Sequence, residues 1–256
     1  MQKEEILKKL NKHYKFPEKL ISTIDTEIDP KDEMFEKDEE EHYFNVGFSC
    51  LEIINNTLES EKVDKKKIKT ILDFPCGYGR ELRFLKSFFS ESSLYGCEIE
   101  EDKLNFVKKK FSATPVLSYR DFKRINLNQK FDLIWCGSLF THISARRFRK
   151  LLLFFFEHLN DEGFLFFTTH GRYSASILNT YGLRSFQRIY IKSKYYLTGF
   201  GYNSYLKQYK YGVSLSAPSW VLRSIEKYKD ISIVGVSEKR WDNHQDVIIC
   251  RKNMIK

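Results

Sequence analysis

The chain has 256 residues and a formal net charge of +9. This length fits one large α/β domain with an extension, and a hydrophobic content of 42% is enough to bury a core. The longest apolar runs, such as residues 151–156, are far too short to span a membrane, and the charged start of the chain argues against a secretory signal. The basic charge permits nucleic acid, an anionic membrane or an acidic substrate as a partner, but the scattered lysines favour a solvated surface and an acidic small molecule.

The cysteines occur singly and form no C-x-x-C pair. They lie at Cys50, Cys76, Cys97, Cys136 and Cys250. An odd count without a framework is typical of reduced thiols, so the sequence predicts a cytoplasmic protein.

The first 60 residues differ in pattern from the rest. Apolar spacing predicts one or two helices over 3–24 with a break at Pro17, and a helix over 45–59. The acidic segment 25–42 between them is either a solvated linker or a lid over a ligand, the lid using Met34, Phe35, Tyr43 and Phe44. We therefore expect an N-terminal helical extension over 1–60 and a main domain over 61–256.

From residue 68 the pattern alternates between strand and helix. Strands are expected at 68–74, 93–99, 115–119, 131–136 and 164–169, with helices at 80–89, 102–111 and 145–159 and a turn at 161–163. Alternation of this kind favours a mostly parallel sheet with helices on both faces. Continuous apolar strands, as in 131–135, indicate burial on both faces of that sheet.

Residues 172–216 interrupt this rhythm with many tyrosines and basic residues. They include Tyr181, Tyr190, Tyr195, Tyr196, Tyr202, Tyr205, Tyr209 and Tyr211. We expect an insertion that either covers the ligand-binding edge of the sheet or forms a surface lid packed by its own aromatics. A helix over 217–229 and strands at 231–237 and 247–251 follow, joined by a loop that contains Trp241, His244 and Asp246. The count is seven strands, with the insertion between the fifth and sixth.

A glycine loop, Asp73-Phe-Pro-Cys76-Gly77-Tyr-Gly79-Arg80, joins the first of these strands to a helix. Glycine permits a tight turn and close approach of a ligand, and helix N-terminal amides favour a negative group. The loop is not G-x-G-x-x-G, so a dinucleotide pyrophosphate is not favoured.

Two carboxylates follow the next two strands. Glu98 ends the second strand, where it can accept hydrogen bonds from ribose hydroxyls. Asp121 follows the third strand, where it can accept from an adenine amino group. The alternatives are a solvated strand end for Glu98 and pairing of Asp121 with Arg120 or Lys123.

These ordered motifs resemble the class I S-adenosylmethionine-dependent methyltransferases, over residues 43–171 and again over 217–252. The resemblance implies a Rossmann-like fold and S-adenosylmethionine as cofactor, with the glycine loop at its methionine part and Glu98 at its ribose. The implied cofactor contacts are Asp73, Cys76, Gly77, Gly79, Arg80, Glu98, Ile99, Asp121, Gly137 and Ser138.

The acceptor is less defined by sequence. The fourth strand lacks the Asn/Asp-Pro-Pro-aromatic motif and the paired cysteines of enzymes that methylate nucleic-acid bases, so nucleic acid is an unlikely acceptor. His142 and His170 follow the fourth and fifth strands, where ligands bind in open α/β sheets. Histidine suits a general base for a hydroxyl acceptor, which predicts O-methylation with His142, His170 and Asp246 as catalytic candidates. The alternative is that each histidine caps a helix or ties a loop.

Three short motifs are similar to bacterial surface-polysaccharide methyltransferases: Ser138–His142, Thr169–Gly171 and His244–Asp246. Together with the tyrosines, which pack well on sugar faces, they favour a sugar or other small hydroxyl acceptor in glycan synthesis. Arg184, Arg188 and Lys194 suit an acidic group on that acceptor. A metal held by His and Asp lacks a recognisable ligand spacing, so none is predicted.

Two other functions stay open at this point. Charge clustered at a cleft would favour an RNA or protein methyltransferase. A non-catalytic scaffold that binds cofactor is disfavoured by the intact Gly77/Gly79 loop and Glu98.

Overall fold

The computed structural model describes residues 2–206 and 210–254. Tyr209, one of the tyrosines noted in the sequence, lies outside the described residues. The chain falls into two compact units that divide between Leu127 and Asn128.

The first unit opens with helices. These are α1 (Gln2–Tyr14), α2 (Glu18–Ile21) and α3 (Glu40–Ser60). Pro17 precedes α2, as predicted, and Tyr14 of α1 stacks on Phe48 of α3 with ring centroids 4.9 Å apart. The predicted helix at 45–59 starts five residues earlier, because acidic side chains in its first turn complement the positive end of a helix.

The rest of the first unit alternates strands and helices. It contains β1 (Thr70–Asp73), α4 (Leu82–Phe88), β2 (Ser93–Glu98), α5 (Glu101–Phe111) and β3 (Thr114–Leu117). β2 pairs in parallel with both β1 and β3. Their carboxyl ends therefore lie at one edge, which brings the ends of β1 and β2, Asp73 and Glu98, toward the glycine loop.

The second unit continues the pattern and adds the tyrosine-rich segment. Its elements are β4 (Phe131–Cys136), α6 (Ala145–Glu157), β5 (Leu159–Thr169), α7 (Arg172–Ser176), α8 (Ser185–Thr198), β6 (Phe200–Ser204), β7 (Gly212–Ser216), α9 (Pro218–Ile225), β8 (Ile231–Trp241) and β9 (Gln245–Lys252). β4 and β5 are parallel, whereas β9 runs antiparallel to both β5 and β8. β6 and β7 form a separate two-stranded sheet that was not predicted.

The predicted fold class is confirmed: a mostly parallel seven-stranded α/β sheet of strand order β3-β2-β1-β4-β5-β9-β8. Within the described residues, no helix is both long and apolar enough to cross a bilayer.

Three predicted boundaries in the second unit were wrong. The turn at 161–163 is a bulge inside β5, since pairing shifts from Phe131↔Leu159 to Leu133↔Phe164 while Glu162 takes a left-handed φ of 64°. The helix expected to reach residue 229 ends at Ile225. The last loop is also shorter than predicted. Trp241 still pairs with Gln245, and this places Asp246 in β9 opposite Thr169.

The segment 172–216 lies against the carboxyl ends of β4 and β5. The amides of Gly212, Ser214 and Ser216 on β7 donate to the carbonyls of His142, Thr141 and His170, at 3.0, 2.8 and 2.8 Å. Behind β7, this segment has its own apolar core, made of Ala175, Leu178, Leu183, Ile191, Tyr195, Val213 and Leu215. It therefore forms a folded layer rather than a loose loop.

Candidate active site

The glycine loop has one open side and one packed side. Gly77 and Gly79 both adopt positive φ, at 50° and 79°. A Cβ at Gly77 would meet nothing within 4 Å, whereas a Cβ at Gly79 would lie 2.3 Å from the ring of Phe111. Gly79 is thus required by packing on α5, and Gly77 leaves room for a ligand beside the backbone.

Glu98 is held against this loop by backbone amides. Its Oε2 accepts from the Gly77 amide at 3.2 Å, and its Oε1 accepts from the Ile99 amide at 2.6 Å. Burial raises the pKa of Glu98, while the Ile99 amide, Lys103 and the Gly77 amide oppose that shift. The carboxylate is therefore fixed in position at the end of β2.

Asp73 is the most deeply buried carboxylate among the described residues of the first unit. It is fully buried, and neither carboxylate oxygen has a hydrogen-bond partner among the described residues. Burial raises the pKa of Asp73 well above its usual range, with nearby Glu81 and Glu98 adding to the shift and Arg80 opposing it. An unsatisfied buried acceptor costs about 1–3 kcal/mol, and a ligand with N–H donors would remove that cost.

In the second unit, three histidines and two tyrosines come together, and we call them the His–Tyr cluster: His142, His170, His244, Tyr181 and Tyr211. The ring of His142 stacks on that of Tyr211 with centroids 4.6 Å apart. The His170 ring lies 5.0 Å from Tyr181 and 5.4 Å from His244. Tyr181 Oη lies 2.6 Å from His244 Nε2, within hydrogen-bond distance. The cluster joins the ends of β4, β5 and β8 to the segment 172–216.

The hydrogen bond of His142 determines its tautomer. Its Nδ1 lies 2.6 Å from the carbonyl oxygen of Gly212, which can only accept, so Nδ1 carries the proton and Nε2 carries the lone pair. Burial lowers the pKa of His142, and the hydrogen bond to Gly212 raises it by less. At neutral pH, therefore, His142 is a neutral base with its lone pair on Nε2.

The other two histidines are also held neutral. Burial lowers the pKa of His170 well below the usual range, and the neighbouring His142 and His244 lower it further. Its Nδ1 is buried and has no hydrogen-bond partner among the described residues. Burial also lowers the pKa of His244.

Asp246 lies beside Gly171 rather than in the final loop. Its Oδ1 accepts from the Lys239 amide at 2.9 Å, and a Cβ on Gly171 would lie only 1.8 Å from its Oδ2. Burial raises the pKa of Asp246 to about 6. Gly171, which the sequence motif Thr-His-Gly contains, is therefore the residue that admits this carboxylate.

A polar network connects β5 and β9 to the end of β4. The Ser138 amide donates to Thr168 Oγ1 at 2.8 Å, Thr168 donates to Gln245 Oε1 at 2.6 Å, and Gln245 Nε2 donates to Ser138 Oγ at 2.8 Å. Ser138 adopts a left-handed φ of 58°. A Cβ at neighbouring Gly137 would lie 2.9 Å from the Trp241 ring, so both residues have clear packing roles in this unit.

The family profile described as a methyltransferase domain matches residues 72–165. No curated protein matches the chain in sequence. This match supports a class I S-adenosylmethionine-dependent methyltransferase domain over residues 72–165.

Solved structures share the fold of this chain at low identity. The plantazolicin methyltransferase BpumL, in complex with a monoazolic desmethylPZN analog and SAH, is similar with a TM-score of 0.59 and 14% identity, covering 99% of this chain and 97% of its own. Magnesium protoporphyrin IX methyltransferase (ChlM) from Synechocystis PCC 6803 with bound SAH is similar with a TM-score of 0.55 and 11% identity, over 86% of this chain and 90% of its own. An S-adenosylmethionine-dependent methyltransferase from Clostridium acetobutylicum ATCC 824 is similar with a TM-score of 0.51 and 16% identity, over 81% of this chain and 99% of its own.

The remaining residues predicted to contact the cofactor differ in their surroundings, and Arg80 and Asp121 of the first unit have hydrogen-bond partners. The Sγ of Cys76 would lie 3.0 Å from a Cβ at Gly96, and Arg80 Nε donates to Glu81 Oε1 at 2.8 Å. Asp121 Oδ1 accepts from the Lys123 amide at 3.3 Å and so caps a short helical turn. Ile99 is 47% exposed. Their contacts with a cofactor stay predictions, as do those of Gly137 and Ser138.

Arg83, which was not among the predicted site residues, organises the N-terminal part of the first unit. It is 1% exposed, and its Nε donates to the Gly79 carbonyl at 3.2 Å. Its Nη1 donates to the carbonyls of Asp25 and Glu27, both at 2.9 Å, and its Nη2 to the Tyr43 hydroxyl at 3.2 Å. One guanidinium thus connects the acidic segment to the glycine loop.

Further ion pairs hold the same acidic segment against α5. Lys31 Nζ lies 2.9 Å from Asp102, Lys103 Nζ lies 3.2 Å from Glu33, and Lys110 pairs with Glu27. Asp32 is buried and accepts from the Tyr43 hydroxyl at 2.7 Å. These pairs attach the segment 25–42 to α5, although most of its side chains stay exposed, so its role as linker or lid stays a prediction.

Replacing Arg83 with methionine is expected to lower the free energy of unfolding by about 3 kcal/mol, since buried backbone carbonyls would lose a charged donor. Urea denaturation checks this, and limited proteolysis should show earlier cleavage within 22–40. Lys86→Met, an exposed position on the same helix, is the control. A urea midpoint equal to that of the control would show that the hydrogen bonds of Arg83 to the acidic segment do not stabilise the protein.

Replacing Asp246 with asparagine is expected to stabilise the protein at pH 7.5 by about 2 kcal/mol. The folded pKa of about 6 exceeds the usual value, so the native state binds the proton more tightly and stability falls as pH rises from about 4 to 6. Asparagine removes this loss and keeps an acceptor for the Lys239 amide. Thermal denaturation of both proteins should show a difference at pH 7.5 that disappears near pH 4.

The exposed Asp161→Asn, which removes the same charge, serves as a matched control. An equal stability of D246N and the parent protein across this pH range would contradict the prediction.

Among the described residues, no group of three His, Cys, Asp or Glu side chains is arranged to hold a metal ion. Thr168 and Gln245, which position Ser138, were not among the predicted site residues. A signal for Gln245 was present in the Gln-Asp pair that follows His244, but its partner lies 77 residues away and only the strand register reveals it.

Proposed function

We propose that this methyltransferase transfers a methyl group to a hydroxyl oxygen of a small molecule, with His142 as the general base. The observation that carries the proposal is the hydrogen bond from His142 Nδ1 to the Gly212 carbonyl. It holds the lone pair on Nε2, and burial keeps the ring neutral at the pH where a base is needed. A hydroxyl has a high pKa, so its attack gains from a base that removes the proton.

The first unit offers the donors and acceptors that S-adenosylmethionine needs. When bound, this cofactor supplies an electrophilic methyl group on a sulfonium. The unpartnered buried carboxylate of Asp73 suits the ammonium of its methionine part, and the open side of Gly77 admits that part beside the backbone. Glu98, already oriented by two amides, suits the ribose hydroxyls.

The tyrosines of the His–Tyr cluster support a sugar or a similar polyhydroxyl acceptor. Aromatic faces pack on C–H surfaces while phenol groups bond hydroxyls. Tyr181 and Tyr211, together with Tyr205 at 6.2 Å from the His142 ring, provide such faces. The Arg188 guanidinium already donates to the Leu183 carbonyl and to the Ser185 hydroxyl. It therefore does not support an acidic group on the acceptor.

Two further points belong to this proposal. The solved structures compared above include methyltransferases named for plantazolicin and for magnesium protoporphyrin IX, so the acceptor class rests on the His–Tyr cluster alone. All five cysteines are buried and free, which supports a reducing compartment such as the cytoplasm.

The test is a methyl-transfer assay with the purified full chain, S-adenosylmethionine and a panel of sugars. Each sugar is paired with its deoxy analogue and with an amino analogue at the same carbon. We expect S-adenosylhomocysteine to form, and the product to gain the mass of one methyl group, only where the hydroxyl is present. Methylation of amino analogues alone would overturn the assignment of oxygen as the acceptor atom.

A further inference from the structure

The helix α8 has two different apolar faces. Its inner face buries Ile191 and Tyr195 in the core of the segment 172–216. Its outer face exposes large apolar side chains, which are Phe186 at 59%, Ile189 at 66%, Tyr190 at 49%, Tyr196 at 73% and Leu197 at 81%. A surface helix normally carries one apolar stripe toward the core and polar residues outside, so the outer stripe needs another explanation.

Helical geometry places the outer stripe on one side. With about 100° per residue, Ile189, Tyr196 and Phe186 fall within roughly 80° of one another, and Tyr190 and Leu197 extend the same face. Ser193 lies in the middle of it. Contiguous exposed apolar side chains on one face mark an interaction surface rather than ordinary surface scatter.

The charged residues of the segment that carries the stripe are all basic. Residues 163–225 contain no Asp or Glu, whereas 172–216 contain seven Lys and Arg. On α8, Lys192 and Lys194 fall on opposite margins of the stripe, and the Lys194 ammonium lies 6.0 Å from the Tyr190 ring centroid. Much of the net charge of +9 is therefore concentrated in this one segment.

We infer that the outer face of α8, Phe186, Ile189, Tyr190, Tyr196 and Leu197 with Lys192 and Lys194 at its margins, docks this protein on an anionic lipid surface. An apolar face flanked by lysines is the pattern of helices that lie in the plane of a membrane interface, where apolar side chains enter the acyl boundary and ammonium groups stay at the headgroups. Charge complementarity points to anionic lipid, since the segment presents no carboxylate to repel it.

The high exposure of Leu197 and Tyr196 also fits this occupant. Side chains that project so far from a helix can enter a soft interface without a matching groove. Because α8 is anchored from behind by Ile191 and Tyr195, docking requires no unfolding of the segment. The inference does not depend on which acceptor is methylated.

The test is co-sedimentation of the full chain with vesicles of phosphatidylcholine alone and with phosphatidylglycerol added. We expect binding only to the anionic vesicles, weakening as salt is raised. The double variant Ile189→Ser with Leu197→Ser should reduce the partition coefficient at least tenfold. Lys192→Gln with Lys194→Gln should reduce it about 25-fold, since each lysine near an anionic surface contributes about fivefold.

Matched controls separate this face from general charge or hydrophobicity. Leu153→Ser removes another exposed leucine, on α6, and Lys108→Gln with Lys109→Gln removes the same charge from α5. Both should bind vesicles like the parent protein. Circular dichroism and thermal denaturation confirm that each variant is folded.

Three results would overturn the inference. The first is no binding of the parent protein to anionic vesicles. The second is equal loss in the α8 variants and in the controls. The third is a parent protein that sediments as a dimer, with Ile189→Ser and Leu197→Ser yielding monomers and with no lipid binding in any form, which would assign the face to a second copy of the chain. Methyl transfer is measured separately with soluble acceptors, so failure here leaves the proposed function untouched.

Discussion

Replacing His142 with asparagine is expected to lower turnover by about 10²–10⁴-fold while leaving affinity for S-adenosylmethionine nearly unchanged. The asparagine amide can still donate to the Gly212 carbonyl, as Nδ1 does now, but it offers no basic nitrogen. The loss would therefore report the missing base rather than a broken loop. Single-turnover rates and calorimetric titration with S-adenosylhomocysteine check the two parts of this expectation.

The pH dependence of the methyl-transfer rate distinguishes a general base from a purely structural residue at position 142. His142 must be neutral to accept a proton, and burial lowers its pKa, so the rate should be flat at neutral pH and fall only in acid below the ordinary imidazole range. The H142N variant should lose this acid limb.

His158 provides a matched control for His142. Its Nδ1 also lies close to a backbone carbonyl, that of Phe154, at 2.7 Å, but it lies at the end of α6. H158N should retain the turnover of the parent protein. Parent-like turnover in H142N would exclude His142 as the general base and leave His170 and Asp246 as the remaining candidates.

Replacing Glu98 with alanine is expected to weaken binding of S-adenosylmethionine and S-adenosylhomocysteine by about 100-fold. Hydrogen bonds to a charged group contribute about 1.5–3 kcal/mol each, and the ribose would lose two such acceptors. The Gly77 and Ile99 amides would also lose the carboxylate that they orient. Isothermal titration calorimetry measures both ligands directly.

Since burial raises the pKa of Glu98, affinity in the parent protein should fall as pH drops through that raised value, because the carboxylate becomes protonated. E98A should lack this dependence. Glu101→Ala, an exposed position in the first turn of α5, removes the same charge and should bind normally. Unchanged affinity in a folded E98A protein would remove Glu98 from the cofactor site.

Sequence patterns alone determined the architecture of the sheet and the position of the glycine loop. Continuous apolar runs, each ending in turn residues, predict the parallel strands, because a strand buried on both faces must be apolar throughout. Asp73 and Glu98 were predicted as ligand contacts because a residue that ends a parallel strand lies at the ligand-binding edge wherever the strand sits in the sheet. These features depend on local spacing, which the sequence shows directly.

Contacts between distant residues were decided only by the tertiary structure. In the sequence, Arg83 looks like any charged residue on a helix. In the structure, its guanidinium donates to backbone carbonyls 56 and 58 residues away and so attaches the acidic segment to α4. Likewise, the hydrogen bond between His142 and Gly212 spans 70 residues. That bond, and not the position of His142 after β4, selects the tautomer that makes a base. A tautomer and a buried charge depend on which groups surround a side chain, and that information arises only when distant segments pack together.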